Sequence, residues 1–482
     1  MNEEVIRKTN QAVIFRLVFK GVQQIVALCL AIILARILSP VEFGVMALAN
    51  MIIYYANNLT NLGLNNALVQ KDGIALRHIN TVFTLDLFIS LILAGTVVLF
   101  SAKIADFFHN SEVELVLKWM SLYFVISTFY YIPVVILRRD INFRFLSVLE
   151  FSQGILTSLI AITLAIAGFS YWALVVSTLV MTASAAAILM MKTRWVPRLD
   201  WTSNMREIYT FGLWSFIRGQ VGFLVSKADY FVIGRYLDVG MLGVYEKSFE
   251  LTERAMSGIT MPVNTIFFST FSRLKKDVLQ VKQVFLEAVA LLALVSYPAL
   301  FGLIGVAPHF VISCLGEQWA GAVVPIQILA AACVFRVLGG MVASVNTAIG
   351  LYKIHTFLNI LSAAIFITLC FLFVHNGIVA VSIAFFVFCL ISFVFSFWLL
   401  YSGVHVTLRE LIKATWCPVI GSIVMLLSVW LLSIFAFTDS SSFLQFLVLV
   451  GTGAMIYIGW IFLFYKKGVI SFRIKGLGGE KR

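Results

Sequence analysis

Apolar runs of helical length follow one another along almost the whole chain, separated by short polar gaps. Fourteen of them read as membrane-crossing helices: 12–35, 43–64, 80–100, 119–137, 145–167, 171–191, 208–233, 242–268, 284–306, 323–350, 356–375, 378–400, 414–436 and 443–464. A helix needs about 20 mostly apolar residues to cross roughly 30 Å of hydrocarbon. The second, seventh, eighth and tenth runs are more polar or longer than the others. Runs such as Leu291–Leu303 and Val379–Phe395 lack the alternation that a barrel strand shows over about 10 positions. The pattern therefore predicts an all-α polytopic membrane protein with no soluble domain of useful size.

Composition agrees with the pattern. The chain has 482 residues, 61% hydrophobic and 12% charged, with a mean hydropathy of +0.99. A soluble protein of this length needs more polar surface. The net charge of +12 would point to nucleic acid in a soluble protein; here it follows the gaps. With the N-terminus inside, twenty-four Lys and Arg fall in inside segments and four in outside ones (Arg36, Lys103, Lys118, Arg235). This positive-inside bias predicts that both termini face the cytoplasm. No cleavable signal peptide is expected, because the first run follows Glu3 and Glu4, contains Arg16 and Lys20, and leads straight into further spans. Six scattered cysteines show no CxxC or Cys/His spacing and read as small core residues.

An internal repeat is visible at a separation of 199 residues. RILSPVEFGVMALA begins at Arg36 and RYLDVGMLGVYEKS at Arg235. Arg36 aligns with Arg235, Leu38 with Leu237, Gly44 with Gly243 and Val45 with Val244. Lys20-Gly21 matches Arg218-Gly219 with a one-residue slip. The separation corresponds to six helices, which keeps both copies in the same orientation, as parallel transporter repeats require. The expected organisation is two six-helix bundles plus two C-terminal helices. Residues 1–191 form the first bundle, 192–207 a cytoplasmic linker, 208–402 the second bundle, and 403–482 two further spans with a basic tail.

Charges inside the spans are the candidate chemistry. The basic set is Arg16, Lys20, Arg218, Lys227, Lys247, Arg254 and Arg336; the acidic set is Asp86, Glu150, Asp229, Glu246, Glu250, Glu253 and Glu287. Each costs about 2.5–3.5 kcal/mol near a helix centre, so each needs a partner, a snorkelling route or a polar cavity. Arg16 and Lys20 are i,i+4, alike in charge, and without an acidic neighbour in their helix. Arg218 repeats the Lys20 position. A water-filled cleft holding an anionic headgroup would relieve that repulsion, and the guanidinium and ammonium groups suit phosphate; anionic lipid or helix packing is the competing account. Lys247, Glu250 and Arg254 fall at helical spacing, which fits either an ion-pair network or a proton- or cation-coupling site. Asp86, alone among apolar residues, is a candidate proton site. Tyr54, Asn57 and Asn61, with Gln23 and Gln220, are candidate sugar contacts; interhelical packing, worth about 0.6 kcal/mol per bond, is the alternative. The 57/61 and 61/65 spacings predict one amide-rich face. No GxxxxGK[ST] loop, metal-ligand cluster or filter-like segment occurs, so neither an enzyme nor a channel is expected.

The repeat ends also carry a family resemblance. LARILSPVEFG at Leu34–Gly44 and ADYFVIGRYLDVGMLGVY at Ala228–Tyr245 resemble segments of Wzx-type polysaccharide flippases, and GLNNALVQ at Gly63–Gln70 and FSRLKKD at Phe271–Asp277 add to the likeness. Ser269 departs from the proline expected in an FPxxSRL-like element. The chain most resembles the colanic-acid-type exopolysaccharide branch of the multidrug/oligosaccharidyl-lipid/polysaccharide exporters. The resemblance implies transfer of undecaprenyl-pyrophosphate-linked oligosaccharide units between leaflets of the bacterial cytoplasmic membrane. It implies alternating access, no bound cofactor and coupling to H+ or Na+. It further implies Lys20 and Arg218 at the pyrophosphate, with Arg16 and Arg254 along the route. A polymerase and a chain-length regulator are the implied protein partners. The competing readings are a non-transporting organiser of the assembly complex and a cation-coupled small-molecule exporter.

Overall fold

The computed structural model describes residues 23–61, 64–70, 74–140, 142–201, 227–436 and 442–466. All regular structure among them is helical. In chain order the helices are α1 (Gln23–Ile37), α2 (Pro40–Asn61), α3 (Leu64–Gln70), α4 (Leu76–Phe107), α5 (Glu112–Met120), α6 (Leu122–Arg139), α7 (Phe143–Ile166) and α8 (Trp172–Thr193). There follow α9 (227–236), α10 (Val239–Leu274), α11 (Val278–Phe310), α12 (Val323–Ala348), α13 (Tyr352–Phe373), α14 (Ile378–Val404), α15 (Leu408–Ala436) and α16 (Phe443–Lys466). Among the described residues, ten helices are long and apolar enough to cross a membrane. The bent pair α1–α2, turning by 119° at its break, would make eleven. The fourth predicted span is α5 and α6 run together with a step at Ser121.

Large side chains such as Leu99, Leu372 and Phe435 stand exposed on outer faces. In water such surfaces would associate; in a bilayer they meet acyl chains. Two compact units divide the chain: residues 26–246, and the segment ending at Ile25 together with Lys247 onward.

In the first unit α6 packs on α4 and α8, and short α3 seats Leu64 and Leu68 against Ile79, Val82, Phe83, Ile132 and Val135. Trp195, just past α8, closes this cluster and donates its indole N–H to Asn80 Oδ1 at 3.2 Å. The amide-rich face expected from the 57/61 and 61/65 spacings runs through Asn61, whose side chain lies outside the described residues.

In the second unit, α11, α12 and α14 share a core of Phe285, Leu292, Tyr297, Val337, Met341 and Leu400. α15 lies along α11, and α16 is pinned to both. Tyr457 Oη donates to the Leu294 carbonyl at 2.8 Å, and Trp460 Nε1 to the Cys417 carbonyl at 3.1 Å. Cys29 is exposed and the other five cysteines are buried thiols.

The repeat of the sequence is a repeat of local structure. α1 stops one residue after Arg36 and α2 starts at Pro40; α9 stops one residue after Arg235 and α10 starts at Val239. Each copy has a polar residue at the break. Ser39 forms a reciprocal cap with Glu42: the Ser39 N–H donates to Glu42 Oε2 at 2.6 Å and the Glu42 N–H to Ser39 Oγ at 3.4 Å. Asp238 accepts from the Gly240 N–H at 2.8 Å.

The two starts then cross at their equivalent glycines. A Cβ on Gly44 would lie 1.9 Å from the Val239 carbonyl oxygen, and one on Gly243 would lie 1.9 Å from the Pro40 carbonyl oxygen. Gly44 and Gly243 are repeat mates, and so are Pro40 and Val239. The contact is therefore reciprocal, the arrangement a local two-fold axis produces, with backbone against backbone where only glycine fits.

Candidate functional site

Helix α10 carries the densest charge of any spanning segment. Its 36 residues hold Glu246, Lys247, Glu250, Glu253 and Arg254 within little more than two turns. Glu250 sits between two cations on its own face, as the i,i+3 and i,i+4 spacings require. Lys247 Nζ lies 2.8 Å from Glu250 Oε2, and an Arg254 guanidinium nitrogen 2.7 Å from Glu250 Oε1. The Lys247 side chain is 3% exposed, and Glu250 is the carboxylate that meets it on α10. The Gln24 carboxamide donates to the Arg254 backbone carbonyl at 3.0 Å, tying the start of α1 to the same turn.

A second pair extends the network to α12. Arg336 bonds Glu253, and its guanidinium lies 5.8 Å from the centroid of the Phe249 ring. The two partners are 83 residues apart, so no spacing rule could have joined them. With Glu246, the strip of Lys247, Glu250, Glu253, Arg254 and Arg336 holds three cations and three carboxylates.

Other expected site residues distribute as follows. Arg16, Lys20, Arg218 and Gln220 lie outside the described residues, as does the Asn61 side chain. Gln23 opens α1. Tyr54 is exposed on α2 and meets the Tyr123 ring edge-on at 6.2 Å between centroids. Asn57 is buried, accepting from Ser127 Oγ at 3.1 Å and donating to Tyr131 Oη at 3.3 Å. Its amide is thus engaged between α2 and α6. Asp86 is buried in α4, at 2% exposure. Among the described residues no group of three or more His, Cys, Asp or Glu side chains is placed to hold a metal ion.

Sequence spacing gives Asp229 no partner, and the structure supplies Tyr245 of α10: its hydroxyl donates to Asp229 Oδ2 at 2.8 Å, while the Tyr230 N–H donates to Oδ1 at 2.9 Å. Lys227 lies over the Tyr230 ring at 3.7 Å. Asp229 therefore staples α9 to α10. Tyr245→Phe should lower stability by about 2 kcal/mol, because it strips a donor from a buried carboxylate. A Tm in detergent unchanged from wild type would exclude that staple.

The neighbouring Gly234-Arg235 pair is structural in the same sense. A Cβ on Gly234 would come within 2.5 Å of Leu48 Cδ2. Arg235 donates to the Phe107 carbonyl at 3.0 Å and stacks over the Phe107 ring at 4.8 Å, so it caps the C-terminus of α4. The residues that carried the family resemblance thus build the helix crossing.

Comparison with known proteins identifies that crossing's lineage. A family model described as polysaccharide biosynthesis protein matches residues 33–324, more than half of the chain. The chain belongs to the polysaccharide biosynthesis protein family. An uncharacterized membrane protein in the cps region of Klebsiella pneumoniae is 24% identical over 459 residues, covering 92% of each chain. The teichuronic acid biosynthesis protein TuaB of Bacillus subtilis is 25% identical, covering 61% of this chain and 62% of its own. The lipopolysaccharide biosynthesis protein WzxC of Escherichia coli is 21% identical, covering 80% of each. Among solved structures, the lipid II flippase MurJ in an inward closed conformation superposes with a TM-score of 0.78 at 15% identity. That match covers 95% of this chain and 100% of MurJ. An inward-facing MATE multidrug transporter of the MOP superfamily gives 0.61 at 17% identity, over 80% and 96%. The polysaccharide biosynthesis family member therefore has the fold of these membrane transporters.

Proposed function

We propose that this protein flips an undecaprenyl-pyrophosphate-linked oligosaccharide from the inner to the outer leaflet of the bacterial cytoplasmic membrane, for exopolysaccharide or lipopolysaccharide assembly. The observation that carries the reading is the charged strip on α10. Family membership and a transporter fold support a moving membrane protein, and the cations of that strip, Lys247, Arg254 and Arg336, could meet an anionic cargo along a polar route. Moving a charged, hydroxyl-rich head through hydrocarbon requires a polar route and a place for the prenyl tail. It breaks no covalent bond, so the protein is a transporter and not an enzyme. Arg254 would line the route, with Arg16, Lys20 and Arg218 meeting the pyrophosphate and Tyr54, Asn57, Asn61, Gln23 and Gln220 the sugars.

Fourteen crossings with both termini inside remain the proposed topology. The ten long apolar helices correspond to predicted spans three to six and nine to fourteen. The other four are the repeat ends, where α2 and α10 are polar and spans one and seven begin outside the described residues. Two six-helix bundles and a C-terminal pair remain the proposed organisation, with a polymerase and a chain-length regulator as proposed partners. Coupling to H+ or Na+ is proposed alongside. The relatives include proteins named for teichuronic acid, lipopolysaccharide and succinoglycan, at 25%, 21% and 27% identity. Identity so evenly spread favours lipid-linked glycans as a class over the colanic-acid branch in particular.

The test is genetic. In cells lacking the protein, lipid-linked repeat units should accumulate facing the cytoplasm while surface polymer disappears. Wild type should restore export. Arg254→Glu, Lys20→Glu or Arg218→Glu, expressed to the same level, should not. Restored export by all three would remove the proposed phosphate route, and export unaffected by loss of the protein would remove the function.

A further inference from the structure

We propose that Asp86 is a proton-binding site, so that the coupling ion is H+; this rests on the transport reading above. Of the acidic groups expected to take part in coupling, Glu250 is already held by two cations. Asp86 is different. It sits about 15 Å along α4 from its first residue, is 2% exposed, and is in contact with the Asn65 carboxamide of α3 as its hydrogen-bond partner. Its Oδ1 is fully buried and makes no hydrogen bond.

No charge offsets it among the described residues. On α3 nothing titrates. On α6, Arg138 and Arg139 stand at the far end, and Arg139 is bonded to the Leu68 carbonyl; the helix also carries the phenols Tyr123, Tyr130 and Tyr131. On α5, Lys118 is paired with Glu114 at 2.6 Å, and Glu112 lies in the first turn. α2 offers Glu42, Tyr54 and Tyr55, and Glu42 caps its own helix. On α4 itself Arg77, His78, Lys103 and Asp106 lie toward the two ends. The stretch 194–201 brings Arg194, Arg198 and Asp200, of which Asp200 meets α4 through its backbone N–H on Thr84 Oγ1.

A buried carboxylate without a cation and with an unbonded oxygen is the costliest arrangement a spanning segment can hold. Binding one proton on Oδ1 removes the charge and turns that oxygen's group into a donor. Asn65 suits both states, since an amide donates to a carboxylate and accepts from an acid. A metal cation would require a shell of oxygen ligands, and no second carboxylate faces Asp86. The step is a proton transfer alone: hydronium on one side gives a proton to Oδ1, and the O–H bond later breaks toward water on the other side. One turn further along α4, Ser90 Oγ lies 2.9 Å from Thr128 Oγ1, and the adjacent Ser127 bonds Asn57. Hydroxyl and amide groups thus continue from Asp86's face into α6 and α2.

The test reads the proton directly. Infrared difference spectra of the purified protein in lipid vesicles, taken between acid and alkaline buffer without substrate, should contain a protonated-carboxyl C=O band. The band should vanish in Asp86→Asn and shift in Asp86→Glu, the second variant guarding against misfolding in the first. A spectrum identical in wild type and Asp86→Asn overturns the proposal. In proteoliposomes carrying an undecaprenyl-pyrophosphate oligosaccharide, an imposed proton gradient should accelerate translocation about tenfold in wild type and not in Asp86→Asn. Acceleration by sodium alone would also overturn it. Failure of all translocation with the band intact would instead count against the transport reading.

Discussion

Gly44→Ala and Gly243→Ala are expected to destabilise the protein more than any other added methyl group. The inserted Cβ meets a backbone carbonyl oxygen 1.9 Å away in each case, and a helix backbone cannot rotate aside as a side-chain end can. Overpacking costs 1–3 kcal/mol where side chains can yield; against backbone on both sides we expect about 3 kcal/mol or more for each variant. The double variant should cost less than the sum, because one separation of α2 from α10 relieves both clashes. Gly95→Ala is the control, since nothing lies within 4 Å of a Cβ there. Thermal unfolding of purified variants in detergent measures all four. A Gly44→Ala protein as stable as the Gly95→Ala control would show that the two helices do not cross as described.

The second large effect is expected at Glu250. Replacing it by Gln removes the carboxylate 2.8 Å from Lys247, itself 3% exposed, and 2.7 Å from Arg254. Removing one member of a buried pair costs 3–5 kcal/mol; because Glu250 itself is 30% exposed, we expect about 3 kcal/mol. Adding Lys247→Met to Glu250→Gln should recover much of the loss, since it removes the cation that Glu250 offset and keeps the chain volume. A double-mutant cycle on unfolding in detergent checks this. A double variant as unstable as Glu250→Gln alone would mean that Lys247 draws its stabilisation from elsewhere.

The fold class and most helices were legible because a spanning helix writes itself as a long apolar run, and the bilayer permits little else. The repeat was legible for a different reason: a backbone crossing demands glycine, so Gly44 and Gly243 had to recur in register. What the sequence hid was long-range. Tyr245 with Asp229 and Arg336 with Glu253 join groups on different helices, and only tertiary packing sets their spacing. The Lys247–Glu250–Arg254 cluster was readable because all three share one helix face.

The central claim is that the protein moves a lipid-linked glycan across the bilayer without altering it. The most direct measurement reconstitutes the purified protein in liposomes with an undecaprenyl-pyrophosphate oligosaccharide and follows headgroup exposure on each face over time. The account predicts protein-dependent redistribution, with the recovered lipid unchanged in mass. A verified substrate that stays on its original face under an imposed ion gradient would contradict it, and would favour a protein that organises the assembly complex without transporting.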